Sequence, residues 1–282
     1  MKLLLWTRDD PASLRLAGAL VAAGHFQAAS DDGSVRVDAG LDAALFRVEG
    51  SLLQADFADR RVGALPPGRF ERALFLSKHS AASGTTAFTV HPIGNLGSDV
   101  SFGGGPRTLA PADPAAQTSL LNALTAEGRP IEVPATFEAT HHGPQMAIPS
   151  LFVEVGSRPQ DWESALLCEA VARAVVTGYL KADLRVPPSA AIGLGGGHYH
   201  PRQTDRARRD GVPVGHLIPG YALADLDAPT LEQAVALSGA RVALVDRKRE
   251  ASAALDRALT ALGRRGLSCV FLGEWGPPSG NI

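Results

Sequence analysis

Ser150-Leu151-Phe152-Val153-Glu154-Val155-Gly156 is an apolar run broken by a single acid, and the residues after it change period. From about Asp161, the side chains of Trp162, Ala165, Leu166, Ala172, Val175, Val176 and Tyr179 fall close to one face of a helix. A near-continuous apolar strand followed by an amphipathic helix is the unit of a sheet covered on both faces. The same alternation extends outward in both directions. Upstream, Leu3-Leu4-Leu5-Trp6 precedes Asp9-Asp10-Pro11, where Asp can accept orphan amides and Pro fits the first helical turn. Leu14, Leu16, Ala17, Leu20 and Val21 then form a core-facing stripe that Gly24 can end. Residues 45–57 and 73–77 are expected as strands, and Leu120, Leu121 and Leu124 mark a helix at about 115–126. Downstream, Ala190–Gly195, Arg241–Asp246 and Leu267–Leu272 are strand-like, with a helix from Ala251 to Leu262. The pattern predicts an α/β fold: one domain over residues 1–282, with a mostly parallel or mixed sheet covered by helices on both faces. No internal repeat or disordered linker interrupts it. The Gly- and Pro-rich segment 94–115 is expected to be a long surface loop, of the kind that often carries function.

Composition narrows the function classes. Of 282 residues, 45% are hydrophobic and 20% charged, and 27 Lys plus Arg face 29 Asp plus Glu. No global positive field advertises nucleic acid, so an RNA-binding face would have to be a local patch. The two cysteines, Cys168 and Cys269, build neither a disulfide framework nor a zinc knuckle and are expected as buried thiols. The opening apolar run is too short for a signal peptide and no stretch approaches a membrane span, so the cytoplasm and no membrane contact are expected.

Histidine carries the chemical message. His141, His142, His198, His200 and His216 all lie in or beside segments bounded by glycine and proline. In α/β sheets ligands bind beyond the carboxyl ends of strands. The first cluster is Phe137-Glu138-Ala139-Thr140-His141-His142-Gly143-Pro144. Adjacent histidines on a strand point to opposite faces unless the backbone turns, which Gly143-Pro144 favours. Imidazole and carboxylate are good zinc ligands, and Glu154 on the following strand is placed to join them. The competing reading is two loop histidines and a structural ion pair. The second cluster is Gly195-Gly196-Gly197-His198-Tyr199-His200-Pro201-Arg202, where three glycines permit close backbone approach and expose amide donors. In extended backbone His198 and His200 would share a face and chelate one metal, with Tyr199 pointing away. The arginines at 202, 206, 208 and 209 form either a solvated helix face or a phosphate-binding strip. A third cluster is Ser77-Lys78-His79-Ser80, with His91 further on. There Lys78 would bind a phosphate or an oxyanion, and His79 would act as ligand or base. Gly193 and Gly195 begin a Gly-x-Gly-x-x-Gly that position 198 breaks, no Walker motif exists, and no Gly-x-Ser-x-Gly elbow occurs.

At these same clusters the sequence resembles the D-aminoacyl-tRNA deacylases of the archaeal and plant type. The matching segments are Ser77-Lys78-His79-Ser80 with Ser83-Gly84, Thr89-Val90-His91, Gly94-Asn95, Glu138 to Pro144, and Pro149 to Ser157 with Trp162. They continue through Gly195 to Tyr199, Pro201 to Thr204, Gly215-His216, Ile218-Pro219, Tyr221, and Asp246 with Lys248. Gln145 stands where the family usually has Thr, and His200 where a small residue is common. The resemblance implies hydrolysis of D-aminoacyl-tRNA to D-amino acid and tRNA, zinc as cofactor, and a fold like those of peptidyl-tRNA hydrolase and the nucleoside phosphorylases.

The expected mechanism is metal-assisted ester hydrolysis. His141, Glu154 and His198 are the expected metal ligands. Lys78, His79, Glu138, His142 and His216 are the expected catalytic groups. Glu138 or Glu154 would take the water proton, Lys78 or the glycine amides would hold the oxyanion, and His142 or His216 would protonate the leaving ribose hydroxyl. Gly195, Gly196, Gly197, Tyr199 and Arg202 are the expected contacts to the acceptor end of aminoacylated tRNA, and a monomer is expected. Two other classes compete: a zinc peptidase or amidase on small D-aminoacyl compounds, and a catalytically inactive module that binds tRNA ends.

Overall fold

The structure, a computed structural model, describes residues 1–63, 65, 68–185, 187, 189–247 and 253–273. Among them the strands are β1 (Lys2–Trp6), β2 (Gln27–Ala28), β3 (Val35–Asp38), β4 (Ala43–Arg47), β5 (Arg72–Lys78), β6 (Phe88–Pro92), β7 (Ala135–Phe137), β8 (Ser150–Val155), β9 (Ala190–Gly195), β10 (Val214–Ile218), β11 (Ala240–Asp246) and β12 (Ser268–Phe271). The helices are α1 (Pro11–Ala22), α2 (Pro114–Gly128), α3 (Pro159–Trp162), α4 (Ala165–Val175), α5 (Pro201–Asp210), α6 (Ala228–Ser238) and α7 (Ala253–Arg264). Asp10 caps α1 by accepting from the Ser13 amide, as its place before Pro11 predicts. Asp113, Ser164 and Asp227 cap α2, α4 and α6 in the same way.

The α/β class and the mixed sheet hold, but the strands divide between two sheets. The larger has the order β2-β3-β4-β1-β5-β8-β6-β7, and the smaller β10-β9-β11-β12. Strands β4, β1, β5 and β8 are parallel neighbours, as their continuous apolar runs require. All pairings in the small sheet are parallel too. Strand β6 runs antiparallel to β8. Helices α1, α2 and α4 pack over one face of the large sheet on Leu4, Leu74, Leu76, Val90 and Val153. Leu3, Leu5, Phe75, Phe152, Ile93 and Met146 form a second core on the other face, and α6 and α7 cover the small sheet around Ile192, Leu194 and Val245.

Several boundaries differ from expectation for local reasons. The strand expected at 45–57 ends at Arg47, because Gly50 turns in the left-handed region and Ser51 caps a short 3₁₀ turn over Leu52–Gln54. The long helix expected from Asp161 is cut at Ser164, whose hydroxyl starts α4 afresh, and it ends in a π turn over Val176–Leu180. Residues 251 and 252, and the family-matching Lys248, lie outside the described residues. Cys168 is buried and its thiol is pushed up to about 11 by that burial, while Cys269 is only half-buried. Among the described residues no helix is long and apolar enough to cross a membrane.

Strand register decides where the polar side chains gather. Phe75 pairs with Phe152 and Ser77 with Glu154 across β5 and β8, while Thr89 faces Glu154 and His91 faces Phe152 across β6 and β8. Partners in register share a face, and alternate residues along a strand do too. Phe75, Ser77 and His79 therefore line one face with Phe152, Glu154, Thr89 and His91. The chain leaving β7 then stitches the two sheets together. The Ala139 amide donates to the His198 carbonyl at 2.8 Å, the His200 amide to Phe137 at 3.0 Å, and the Thr140 amide to Leu217 at 2.8 Å. Those bonds draw the double-histidine and triple-glycine segments together.

Candidate active site

His142 adopts φ 47°, and this left-handed turn brings two sequence neighbours to the same side: the His141 and His142 ring centroids lie 4.2 Å apart. His91 joins them, 4.2 Å from the His141 ring and 5.0 Å from the His142 ring. The three rings have one orientation logic. Nδ1 of His141 lies 2.7 Å from the Ala139 carbonyl, Nδ1 of His142 2.7 Å from the Gly143 carbonyl, and Nδ1 of His91 3.1 Å from the Pro92 carbonyl. A carbonyl only accepts, so each Nδ1 carries a proton; His141 and His142 are neutral and keep the Nε2 lone pair, while Glu154, 3.7 Å from His91 Nε2, holds the His91 pKa up against its burial. Burial, then the neighbouring His91, hold His142 down at about 4; burial with His91 and His142 holds His141 well below the ordinary range. Neutral imidazoles fixed by carbonyls on the far nitrogen are the usual state of metal-ligating histidine. The Nε2 of His91 is buried with no hydrogen-bond partner among the described residues.

Glu138 sits behind this trio, fully buried. One carboxylate oxygen is 2.9 Å from His79 Nδ1, and the other is 3.1 Å from His198 Nε2 and 3.8 Å from His141 Nε2. Burial alone would raise the Glu138 pKa, but hydrogen bonds from His198 and His79 and the positive charge of His79 hold it well below the usual carboxylate range. Glu154 lies 3.3 Å from His79 Nδ1 and 3.7 Å from His91 Nε2. Burial would lower His79, yet its hydrogen bonds to Glu138 and Glu154 push it up to about 11. As an imidazolium, His79 donates from Nδ1 to the two carboxylates and from Nε2 to the Tyr199 hydroxyl oxygen, 2.7 Å away. The rings of His141 and His198 are 4.8 Å apart, so the two turns share one cleft of about 760 Å³.

Among the described residues, three groups of side chains have ligand atoms close enough to hold a metal ion: His91, His141 and His142; Glu138, His141 and His198; His79, Glu138 and Glu154. The donor chemistry fits a divalent ion at the first group, where three imidazole nitrogens converge, the buried His91 Nε2 makes no hydrogen bond among the described residues, and an arriving cation would displace its proton.

Of the residues expected from sequence, Lys78, His79, His141, His142, Glu154 and His198 line the cleft, and Glu138 closes it from below. Lys78 Nζ lies 4.8 Å from the centroid of the Trp162 ring. Tyr199 was expected to face away but reaches His79, because residue 199 bridges to Glu138 and the backbone is no longer a simple strand. His200 does not join His198. Pro201 starts α5 immediately after it, and the ring is fully buried, where burial lowers its pKa to about 3. His216 is not brought to the cleft either. Its Nδ1 lies 3.1 Å from the Thr140 hydroxyl and its Nε2 3.0 Å from the Ala110 carbonyl, all buried, so it reaches no leaving group. The glycine amides do not line the cleft. Gly195, at φ 82°, lets the end of β11 approach so closely that an added Cβ would run into the Asp246 carbonyl oxygen, and the Gly196 carbonyl accepts from Gly220. His91 and Tyr221 received no role from sequence reasoning; His91 lay inside a matched segment, but a lone histidine after a valine gives no chemical signal.

Arg202 turns away from the cleft, binding Asp246 at 2.8 Å and the Leu272 carbonyl at 3.2 Å. It borders a second groove with Arg129, Arg206, Arg208 and Arg209. Arg202→Ala is therefore expected to cost roughly 1.5–3 kcal/mol of stability by removing a charge-assisted hydrogen bond to the largely buried Asp246 carboxylate. A denaturant titration checks this, and an unchanged midpoint beside a raised KM would instead return Arg202 to substrate binding.

Comparison with known proteins agrees with this geometry. The family model described as D-aminoacyl-tRNA deacylase matches residues 67–270. The chain is 38% identical over 203 residues to a D-aminoacyl-tRNA deacylase of Methanosarcina acetivorans, covering 71% of this chain and 67% of that protein. It is 32% identical over 255 residues to that of Archaeoglobus fulgidus, covering 90% of each. A crystal structure of a conserved protein of unknown function superposes with a TM-score of 0.86 at 30% identity, covering 96% of this chain and 94% of the other. With matched segments that contain every histidine of the cleft, the chain belongs to the D-aminoacyl-tRNA deacylase family and is a hydrolase.

Proposed function

We propose that the protein hydrolyses the ester joining a D-amino acid to the 3′ end of tRNA, releasing D-amino acid and tRNA, and so proofreads chirality, with the whole chain 1–282 acting as one deacylase unit. One observation carries this reading: the buried Glu138 joins His79, just past β5, to His141 and His198 of the two turns, beneath one open cleft that the three histidines line. His91, His141 and His142 are the residues that would hold a zinc ion, through their Nε2 atoms. Bound there, such an ion supplies Lewis acidity toward an ester carbonyl or a water.

The chain's own groups handle the protons. Glu138 is ionised and fully buried, so it accepts the attacking water's proton through His198, whose Nε2 lies 3.1 Å away, as the carbon–oxygen bond forms. His79, charged and locked between Glu138, Glu154 and Tyr199, keeps that carboxylate in place. Lys78 on the cleft wall, its Nζ 4.8 Å from the Trp162 ring centroid, would swing off that ring to meet the oxyanion of the tetrahedral intermediate. The ester carbon–oxygen bond then breaks, and the departing ribose oxygen takes a proton. His198 is the group placed to deliver it, since its Nε2 meets Glu138 and its side chain is more exposed than that of His141. His198 therefore takes the role that the buried His216 cannot perform.

The direct test is release of tyrosine from D-tyrosyl-tRNA beside L-tyrosyl-tRNA and a D-tyrosyl dipeptide. Faster release from the D-charged tRNA is expected. Equal rates for the two enantiomers would overturn chirality proofreading, and cleavage confined to the dipeptide would favour an amidase.

A further inference from the structure

Two aromatic side chains at the mouth of the cleft are held in water by rigid backbone. Phe102 is 65% exposed and Tyr221 64% exposed, yet both line the cleft that contains His141, His142 and His198. An exposed phenylalanine is ordinary on a loose loop, but the segment around Phe102 is firmly tied. The Asn95 side-chain amide donates to the Gly103 carbonyl at 2.8 Å and to the Gly105 carbonyl at 3.2 Å, and the Gly103 amide donates to Val100 at 3.0 Å. Gly103 and Gly104 both occupy left-handed backbone, and a Cβ on Gly103 would run into the Leu53 carbonyl.

The backbone at or beside each ring is also tied to one of the two histidine turns. The Gly143 amide, beside His142, donates to the Phe102 carbonyl at 3.0 Å, and the Gly220 amide, beside Tyr221, donates to the Gly196 carbonyl at 3.0 Å. The Tyr221 hydroxyl lies 3.5 Å from His198 Nδ1. Packing within the chain accounts for neither ring's position, because each leaves most of its surface in water.

Resting on the ester-hydrolysis reading above, we infer that Phe102 and Tyr221 form a stacking platform for the unpaired bases at the 3′ end of the tRNA substrate. The ester is carried by the terminal ribose, and the base on that same sugar must lie beside the reacting carbonyl. An enzyme that acts there needs a surface for a flat, neutral π-system at the lip of the cleft. Aromatic rings provide it for any base, since stacking tolerates sequence. The wall near Phe102 also carries Asp99, which repels phosphate and leaves the base face as the recognised group.

The test compares wild type with Phe102→Ala, Tyr221→Leu and Phe102→Trp, measuring the Kd for uncharged tRNA and the KM for D-tyrosyl-tRNA. Loss of either ring is expected to weaken binding of uncharged tRNA by about 5- to 100-fold, and Phe102→Trp, which keeps a π-face, to preserve it. Uncharged tRNA lacks the amino acid, so a raised KM beside an unchanged Kd would assign the rings to the tyrosyl side chain and overturn the inference. Wild type that hydrolyses D-tyrosyl-tRNA while both truncations bind uncharged tRNA as tightly overturns the inference alone. Wild type that does not hydrolyse D-tyrosyl-tRNA overturns the hydrolysis reading and the platform with it.

Discussion

Glu138→Gln is expected to lower kcat on D-tyrosyl-tRNA by at least about a hundredfold while the protein stays folded. The substitution keeps side-chain volume in a site that admits no solvent, so no cavity opens. It removes the negative charge that His79 and His198 meet at 2.9 and 3.1 Å. An amide oxygen is a far weaker base than a carboxylate, and an amide nitrogen facing His79 Nδ1 or His198 Nε2 sets donor against donor. His79 loses one of the two carboxylates that keep it charged. The expected cost in stability is about 1–3 kcal/mol, as for a buried polar group left badly paired, and a thermal melt separates that from the loss of turnover. A Glu138→Gln protein that turns over within threefold of wild type would remove Glu138 from the reaction. Glu154→Gln is the informative companion: Glu154 also touches His79 but is not within reach of His198, so its loss is expected to be smaller.

The sequence disclosed the fold class and the identity of the two decisive turns, and it did so for definite reasons. Residues 151–155 are apolar at every position but one because β8 is buried on both faces. Gly143-Pro144 announced a backbone turn, and the turn is what brings two adjacent imidazoles to one side. The register was not legible. Nothing local in Thr89-Val90-His91 says that β6 runs antiparallel to β8 and brings His91 beside Glu154 and the two turn histidines. The division into two sheets was hidden for the same reason: β9 and β8 look alike as apolar runs, and only long-range pairing assigns them. His216 and His200 misled because a histidine near glycine is equally suited to a cleft and to a core site. His216 satisfies a buried hydroxyl and a buried carbonyl, and His200 is drawn inward by the helix that Pro201 begins. The triple glycine was read as a donor nest, but the close approach of Asp246 is what demands Gly195.

His91→Phe is expected to abolish tight binding of one zinc ion per chain, weakening it by at least about a hundredfold, and to take turnover down with it. The choice of residue follows from what His91 does not do. Its ring is stacked on Phe152 at 5.2 Å with planes 4° apart, and phenylalanine preserves that stack. Its Nδ1 is satisfied by the Pro92 carbonyl, whereas its Nε2 is buried without a hydrogen-bond partner among the described residues. Phenylalanine also removes the Nδ1 bond to Pro92 and the Nε2 contact with Glu154, 3.7 Å away, so the metal-free variant is expected to be less stable by about 1–3 kcal/mol whichever role His91 has. The response to metal separates a ligand from a core residue. If His91 is only a core residue, His91→Phe keeps its metal content and rate. If His91 ligates, zinc added back after exhaustive dialysis against a strong chelator raises the melting temperature and rate of wild type alone. Elemental analysis supplies a readout independent of activity. Zinc content and turnover equal to wild type in His91→Phe would exclude the His91, His141 and His142 site, while leaving the two groups built on Glu138, with His141 and His198 or with His79 and Glu154.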